Sequence, residues 1–181
     1  YLQGLGHASY LVGSEETGEA LLFDPQRDVS GYFDVARDHG LRIRHALDSH
    51  GHNDYLSGLT EVAERADVEL LASAFAEVGF EHRALRDGQQ FELGEVGFEV
   101  LHTPGHTPEH ICILVTDRTR ANEPWFVFTG HTLMVGDLGR TELAASAEEG
   151  ARQLFKSVRR LKELPDYVEV LPGAYAGSVC G

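Results

Sequence analysis

The chain has 181 residues, 42% of them hydrophobic and 24% charged, which suits one soluble domain with a sizeable core. Its 29 acidic residues against 15 basic ones give a formal net charge of −14, so nucleic acid and anionic membrane surfaces are excluded as expected partners. No apolar run reaches the length of a membrane span, and the Tyr1 to Gly6 start has neither the basic region nor the apolar stretch of a signal peptide.

In chain order, Ala8 to Val12 and Ala20 to Phe23 are short apolar runs around a polar, glycine-bounded segment, the pattern of a β-hairpin. Tyr32 to His39 reads as a short helix capped by Gly40. Ile43 to Leu47 is a strand that opens into a polar loop, Asp48 to Asn53. Leu59 to Ala66 reads as a helix and Val68 to Ala72 as a strand, and Phe91–Leu93 with Val96–Leu101 form a second hairpin about Gly94-Glu95. Ile111 to Val115 and Trp125 to Phe128 are runs of buried-strand type. Glu148 to Leu164 is the longest helical stretch, with Leu154, Phe155, Val158 and Leu161 at helical spacing; Pro165 ends it, and Val168 to Leu171 is a last strand. With no repeat, low-complexity tract or linker, residues 1–181 are read as one α/β domain. The only methionine is Met134, so Tyr1 is read as the start of a processed or trimmed chain, or of a segment of something longer. Cys112 and Cys180 cannot build a disulfide framework, and a reducing cytoplasm is the expected location. Cys112, in an apolar strand, is expected to be an inert core thiol, while Cys180 shows no sign of activation.

Chemistry concentrates at strand ends. His50, His52 and Asp54 lie at alternate positions directly after a strand, and alternate side chains of extended backbone point to one side. His106 sits in His102-Thr103-Pro104-Gly105-His106-Thr107-Pro108, where two prolines and a glycine restrain the loop. His131 follows Phe128-Thr129-Gly130. Three strand ends delivering histidine point to a metal site. His7, His39, His45 and His82 are read as surface or satisfied core residues, His102 as a strand residue and His110 as a post-turn residue.

His50-Gly51-His52-Asn53-Asp54 resembles the His-x-His-x-Asp signature of the metallo-β-lactamase superfamily. Asp24-Pro25-Gln26-Arg27-Asp28, Thr103-Pro104-Gly105-His106-Thr107-Pro108, Phe128-Thr129-Gly130 and Gly139-Arg140-Thr141 fall in that family's order. Within it, the chain is most similar to persulfide (sulfur) dioxygenases, including forms fused to a rhodanese domain. The resemblance implies an αββα sandwich of two mixed sheets flanked by helices, with the site at one edge. It also implies a single Fe(II) held by His50, His106 and position 131, with His52 a further metal residue near enough to substitute.

The sequence departs from the pattern at three positions. Tyr55 and Ala174 stand where two-metal relatives carry histidines, which dismantles the second metal site. His131 stands where the dioxygenases carry aspartate. Iron dioxygenases favour two histidines and a carboxylate, and replacing the carboxylate by imidazole deletes one negative charge. Three histidines plus water is also a normal catalytic zinc set, so zinc is the alternative metal. Asp54 is expected to orient a ligating histidine, and Tyr55 to offer a hydroxyl near the substrate or to pack. Arg140 is expected to meet a substrate carboxylate or to pair with a core acid, and Tyr175 to line the substrate side. Three readings follow: a glutathione-persulfide dioxygenase, a zinc thioesterase of glyoxalase II type, and a metal-poor non-catalytic relative. A persulfide or thiol is the expected small-molecule partner, with a rhodanese domain or protein and a second copy of the chain as further candidates.

Overall fold

A computed structural model of the chain describes residues 4–143 and 146–175. The first sheet holds β1 (Tyr10–Ser14), β2 (Glu19–Phe23), β3 (Arg42–Leu47), β4 (Glu69–Ser73) and β5 (Arg83–Leu85) in that order. β1 and β2 form the expected hairpin, and β2 to β5 run parallel. Parallel neighbours need crossovers, and α1 (Ser30–Asp38) and α2 (Leu59–Arg65) supply two of them. α1 ends at Gly40, whose φ of +68° is the left-handed turn that glycine tolerates.

β6 (Gln90–Leu93), β7 (Val96–His102), β8 (Ile111–Asp117) and β9 (Phe126–Gly130) build the second sheet as antiparallel neighbours, and β12 (Glu169–Pro172) adds to β9 in parallel. Between β9 and β12 lie a small hairpin, β10 (Leu133–Met134) with β11 (Asp137–Leu138), and the helix α3 (Ala147–Leu161).

Both sheets are mixed, and strand alternation sorts their side chains into layers. Leu21, Phe23, Leu47, Phe98, Ile113 and Phe128 meet between the sheets. Leu22, Ala46 and Leu70 face the other way, onto Ala36 of α1 and Val62 of α2. Leu101, Cys112, Leu114 and Val127 pack against Leu161 of α3. The layer order is therefore helix, sheet, sheet, helix, as expected. Full burial of a Leu or Phe is worth about 1.5–3 kcal/mol, whereas exposed pairs such as Arg152–Glu148 are worth about 0–1 kcal/mol. The apolar layers, not the ion pairs, hold the sheets together.

Some local expectations need correction. Phe155 is 63% exposed. It follows Leu154 directly, about 100° further round the helix, and so leaves the buried stripe of Leu154 and Leu161. The regular helix stops at Leu161, one turn before Leu164, and β5, β10 and β11 are too short to show a sequence period. No helix among the described residues is long and apolar enough to cross a membrane. Cys180 lies outside the described residues.

Candidate metal centre

Three strand ends deliver the histidines to one edge of the sandwich. β3 runs into Ser49–Asp54, β7 and β8 flank the loop carrying His106, and β9 ends at Gly130 before His131. Backbone bonds tie these segments together, the first between the two sheets and the second within one of them. The Ile111 amide donates to the Ser49 carbonyl at 2.8 Å, and the Gly173 amide to the Gly130 carbonyl at 2.8 Å. Gly130 has a φ of +49°. A Cβ there would lie 2.6 Å from Ser49 Oγ and 2.7 Å from His110 Nε2, so only glycine permits this approach.

His50, His106 and His131 are buried, with ligand atoms all within 4.8 Å of one another. Asp24 Oδ2 accepts from the Ser49 hydroxyl at 2.9 Å, and Ser49 Oγ lies 2.8 Å from His50 Nδ1. With its hydroxyl proton committed to Asp24, Ser49 accepts from Nδ1–H of His50. His106 Nδ1 likewise donates to the Arg140 carbonyl at 2.9 Å. Both rings thereby keep Nε2 as a lone pair, and both Nε2 atoms are buried without a partner, as are both nitrogens of His131. Buried polar atoms rarely stay unsatisfied. Converging imidazole nitrogens fixed from behind are the donor set of a transition-metal ion, so the residues fit one.

The electrostatics agree with this fit. Burial drives His50 well below the usual histidine range and lowers His106. Burial, with the neighbouring His52 charge, pushes His131 down to about 3. The three rings are neutral at pH 7, with lone pairs available.

His52 behaves differently. Its Nε2 donates to Asp24 Oδ1 at 3.2 Å, and its Nδ1 lies 3.8 Å from Asp54 Oδ1. Burial opposes its charge, but Asp24, Asp54 and Asp48 together outweigh burial and raise it to about 10. Its ring centroid is 4.2 Å from that of His50. It groups as a donor with Asp54 and His131 rather than with His50 and His106. Asp54 is held down at about 2 against the pull of burial, by His52 and then His131, and both its oxygens are buried without a hydrogen-bond partner, Oδ1 facing His52 across 3.8 Å.

Tyr55 lies between His7 and His52, with centroids at 4.1 and 4.3 Å, and its hydroxyl is aimed at the Asp24 carbonyl at 3.4 Å. Ala174 is fully buried and bridges to His7, whose Nε2 lies 2.9 Å from the same carbonyl. The two positions that depart from the two-metal pattern thus flank His7 together. Arg140 serves His106 through its backbone. Its side chain lies 3.6 Å from Glu142, an exposed acid rather than a core one. Tyr175 is 39% exposed, with its amide bonded to the Gly6 carbonyl. Cys112 is a buried core thiol, raised to about 12 by burial.

Sequence reasoning missed Asp24, Asp48 and Ser49 as parts of the site, and gave His110 no role there. Asp24, read only as the head of a segment in the family's order and given no role at the site, is fully buried with φ +51°, a strained conformation of the kind that clusters at functional sites. The available signal was its place at the end of the strand beside the one that delivers His50. Asp48 is pushed up to about 7 by burial. His110 follows the turn at 108–109, as expected, and is fully buried and stacked on His50.

Residues 2–173 match the profile of the metallo-beta-lactamase superfamily. A hydroxyacylglutathione hydrolase of Methylococcus capsulatus is 30% identical over 89% of this chain and 59% of its own length. The mitochondrial persulfide dioxygenase of Bos taurus is 28% identical over 91% of this chain and 62% of its own. The crystal structure of a metallo-beta-lactamase from Staphylococcus aureus superposes with a TM-score of 0.92 at 40% identity, covering all of this chain and 55% of the other. The chain spans about 60% of the length of the curated relatives it matches.

Proposed function

The chain belongs to the metallo-beta-lactamase superfamily, and on that premise we propose that it is a mononuclear, metal-dependent persulfide dioxygenase, with Fe(II) as the metal and glutathione persulfide as the substrate. The observation that carries this reading is the convergence of three buried histidines whose ligand atoms lie within 4.8 Å of one another. Tyr55, its hydroxyl turned onto the Asp24 carbonyl, and Ala174 bring no imidazole where two-metal hydrolases of the family carry histidines for a second ion. The relative named as a persulfide dioxygenase supports the reading.

The overall reaction balances as persulfide plus O2 plus water giving thiol, sulfite and two protons. The outer sulfur loses four electrons and dioxygen gains them. When bound, the metal would supply open positions for a persulfide sulfur and for oxygen. The chain's own residues do the rest. His50, His106 and His131 are presented as neutral donors, two of them with their tautomer set by Ser49 and the Arg140 carbonyl. Asp24 orients His52 and Ser49 together. The buried, ionised Asp54 is assigned to hold His52, with Oδ1 3.8 Å from His52 Nδ1. Arg140 and Tyr175 are the residues assigned to the carrier thiol. The described fold acts as one domain, and a rhodanese domain or protein is the sulfur-handling partner that suits this chemistry.

A second reading is favoured by His131 itself. A three-histidine set is a usual catalytic zinc site, and a relative at 30% identity is named as a hydroxyacylglutathione hydrolase. One experiment separates the two. Chain purified anaerobically is analysed for metal, then assayed for oxygen uptake on glutathione persulfide and for cleavage of a glutathione thioester. The dioxygenase reading expects one iron per chain, oxygen uptake and sulfite. Thioester cleavage with zinc and no oxygen uptake would replace it by the hydrolase reading.

A further inference from the structure

His110 is a single ring that touches every segment bringing a candidate ligand. Its face lies on His50, with centroids 4.9 Å apart and planes 23° from parallel. Its Nε2 accepts the backbone N–H of His131 at 3.1 Å. Its Nδ1 lies 3.0 Å from Thr103 Oγ1 and 3.0 Å from Thr132 Oγ1. Thr103 opens the loop that carries His106, and Thr132 follows His131. Because Nε2 spends its lone pair on the His131 amide, the ring proton sits on Nδ1 and is donated to a threonine hydroxyl. Gly130 packs along the same edge, where an added Cβ would lie 2.7 Å from Nε2, so no larger residue fits beside the ring.

We propose that His110 is a positioning residue of the metal centre: an Nδ1-protonated imidazole that sets the tilt of His50 and the backbone of His131 at once. A phenyl ring would keep the stacking and lose both hydrogen bonds. An amide side chain can supply an acceptor and donors without the stack. Since a metal centre of this kind needs donors held in place before the ion arrives, the hydrogen bonds, more than the ring area, decide the effect. The proposal rests on the reading that His50, His106 and His131 hold a metal.

The test compares His110→Phe and His110→Gln with the wild-type chain by chelator competition for Co(II) and by the Co(II) absorption spectrum. Circular dichroism and thermal melting of the metal-free chains report folding. His110→Phe should lose about 10–100-fold in affinity, the range for groups that orient metal ligands, and shift the spectrum. His110→Gln should recover most of that loss. Wild-type affinity and spectrum in His110→Phe, or equal loss in both variants, would overturn the proposal. Nitrogen-15 NMR of the wild-type chain gives a second check that survives a misfolded variant, because an Nε2-protonated His110 contradicts the assignment outright. A wild-type chain that takes up no metal would remove the parent reading and this one together. A variant contrast against a metal-binding wild type isolates this one.

Discussion

Asp24 Oδ1 accepts a hydrogen bond from His52 Nε2 at 3.2 Å while both groups are almost completely buried. The same oxygen takes the Ser49 amide at 2.6 Å, and the other oxygen takes the Ser49 hydroxyl. One carboxylate therefore orients His52 directly and His50 through Ser49.

Asp24→Asn keeps the shape and removes the charge. Breaking a buried pair costs about 3–5 kcal/mol, and loss of a group behind a metal ligand costs about 10–100-fold in affinity. The variant should show both, by urea denaturation and by chelator competition. Unchanged metal affinity would mean that the Asp24–Ser49–His50 chain has no bearing on the site.

His131→Ala removes a donor and should lower metal occupancy sharply in elemental analysis. His131→Asp restores two histidines and a carboxylate, which suits Fe(II), and should keep occupancy and keep or raise oxygen uptake with persulfide. In a zinc hydrolase, the same variant should leave thioester cleavage measurable and produce no oxygen uptake. Full metal content in His131→Ala would show that position 131 is no ligand.

The metal-free chain should be most stable near pH 6.5. His7, His45, His50, His106, His110 and His131 all have folded values lowered by burial. The unfolded chain binds their protons first as pH falls below 6.5, so stability drops on the acid side. Each ring contributes a slope of about 1.4 kcal/mol per pH unit while only the unfolded state is protonated. His52 has the opposite sign. Raised to about 10, it contributes fully below 6.5 and loses that contribution as pH rises toward 10. Asp48, raised to about 7, opposes the acid loss between 3.8 and 7, one group against six. A series of melts across pH 4–10 on chelated protein checks this, and a flat acid limb would contradict the neutral, buried rings.

Gly130→Ala and Gly88→Ala impose the same left-handed strain, at φ +49° and +71°, but only Gly130 has neighbours that a Cβ would strike. Gly88→Ala should cost about 1–2 kcal/mol, the penalty of that conformation. Gly130→Ala should cost clearly more and also weaken metal binding, because Ser49 and His110 must move. Equal losses in chemical denaturation with unchanged metal affinity would show that the crowding at Gly130 is relieved cheaply.

Much of the architecture is legible in the sequence because its signals are local. The β1–β2 and β6–β7 hairpins, α1 with Gly40 and the runs of β8 and β9 follow from period and punctuation. His50, His106 and His131 follow from their places after apolar strands. Tyr55 and Ala174 were legible only as departures from a family pattern, since nothing in a lone tyrosine says that its hydroxyl turns to the Asp24 carbonyl.

What the sequence by itself determined is which segments form strands and helices, and that histidines leave three strand ends. What only the tertiary structure decided is which nitrogen each histidine offers and what stands behind it. Asp24 and His52 are 28 positions apart, and His110 and His131 are 21 apart. Hydrogen bonds over such separations depend on how two sheets stack and how loops meet at their edge, and no period or spacing along the chain encodes that meeting. The tautomers of His50 and His106, the charge on His52 and the place of His110 beneath the site follow from that packing, because burial and a fixed partner, not residue type, set the proton on an imidazole.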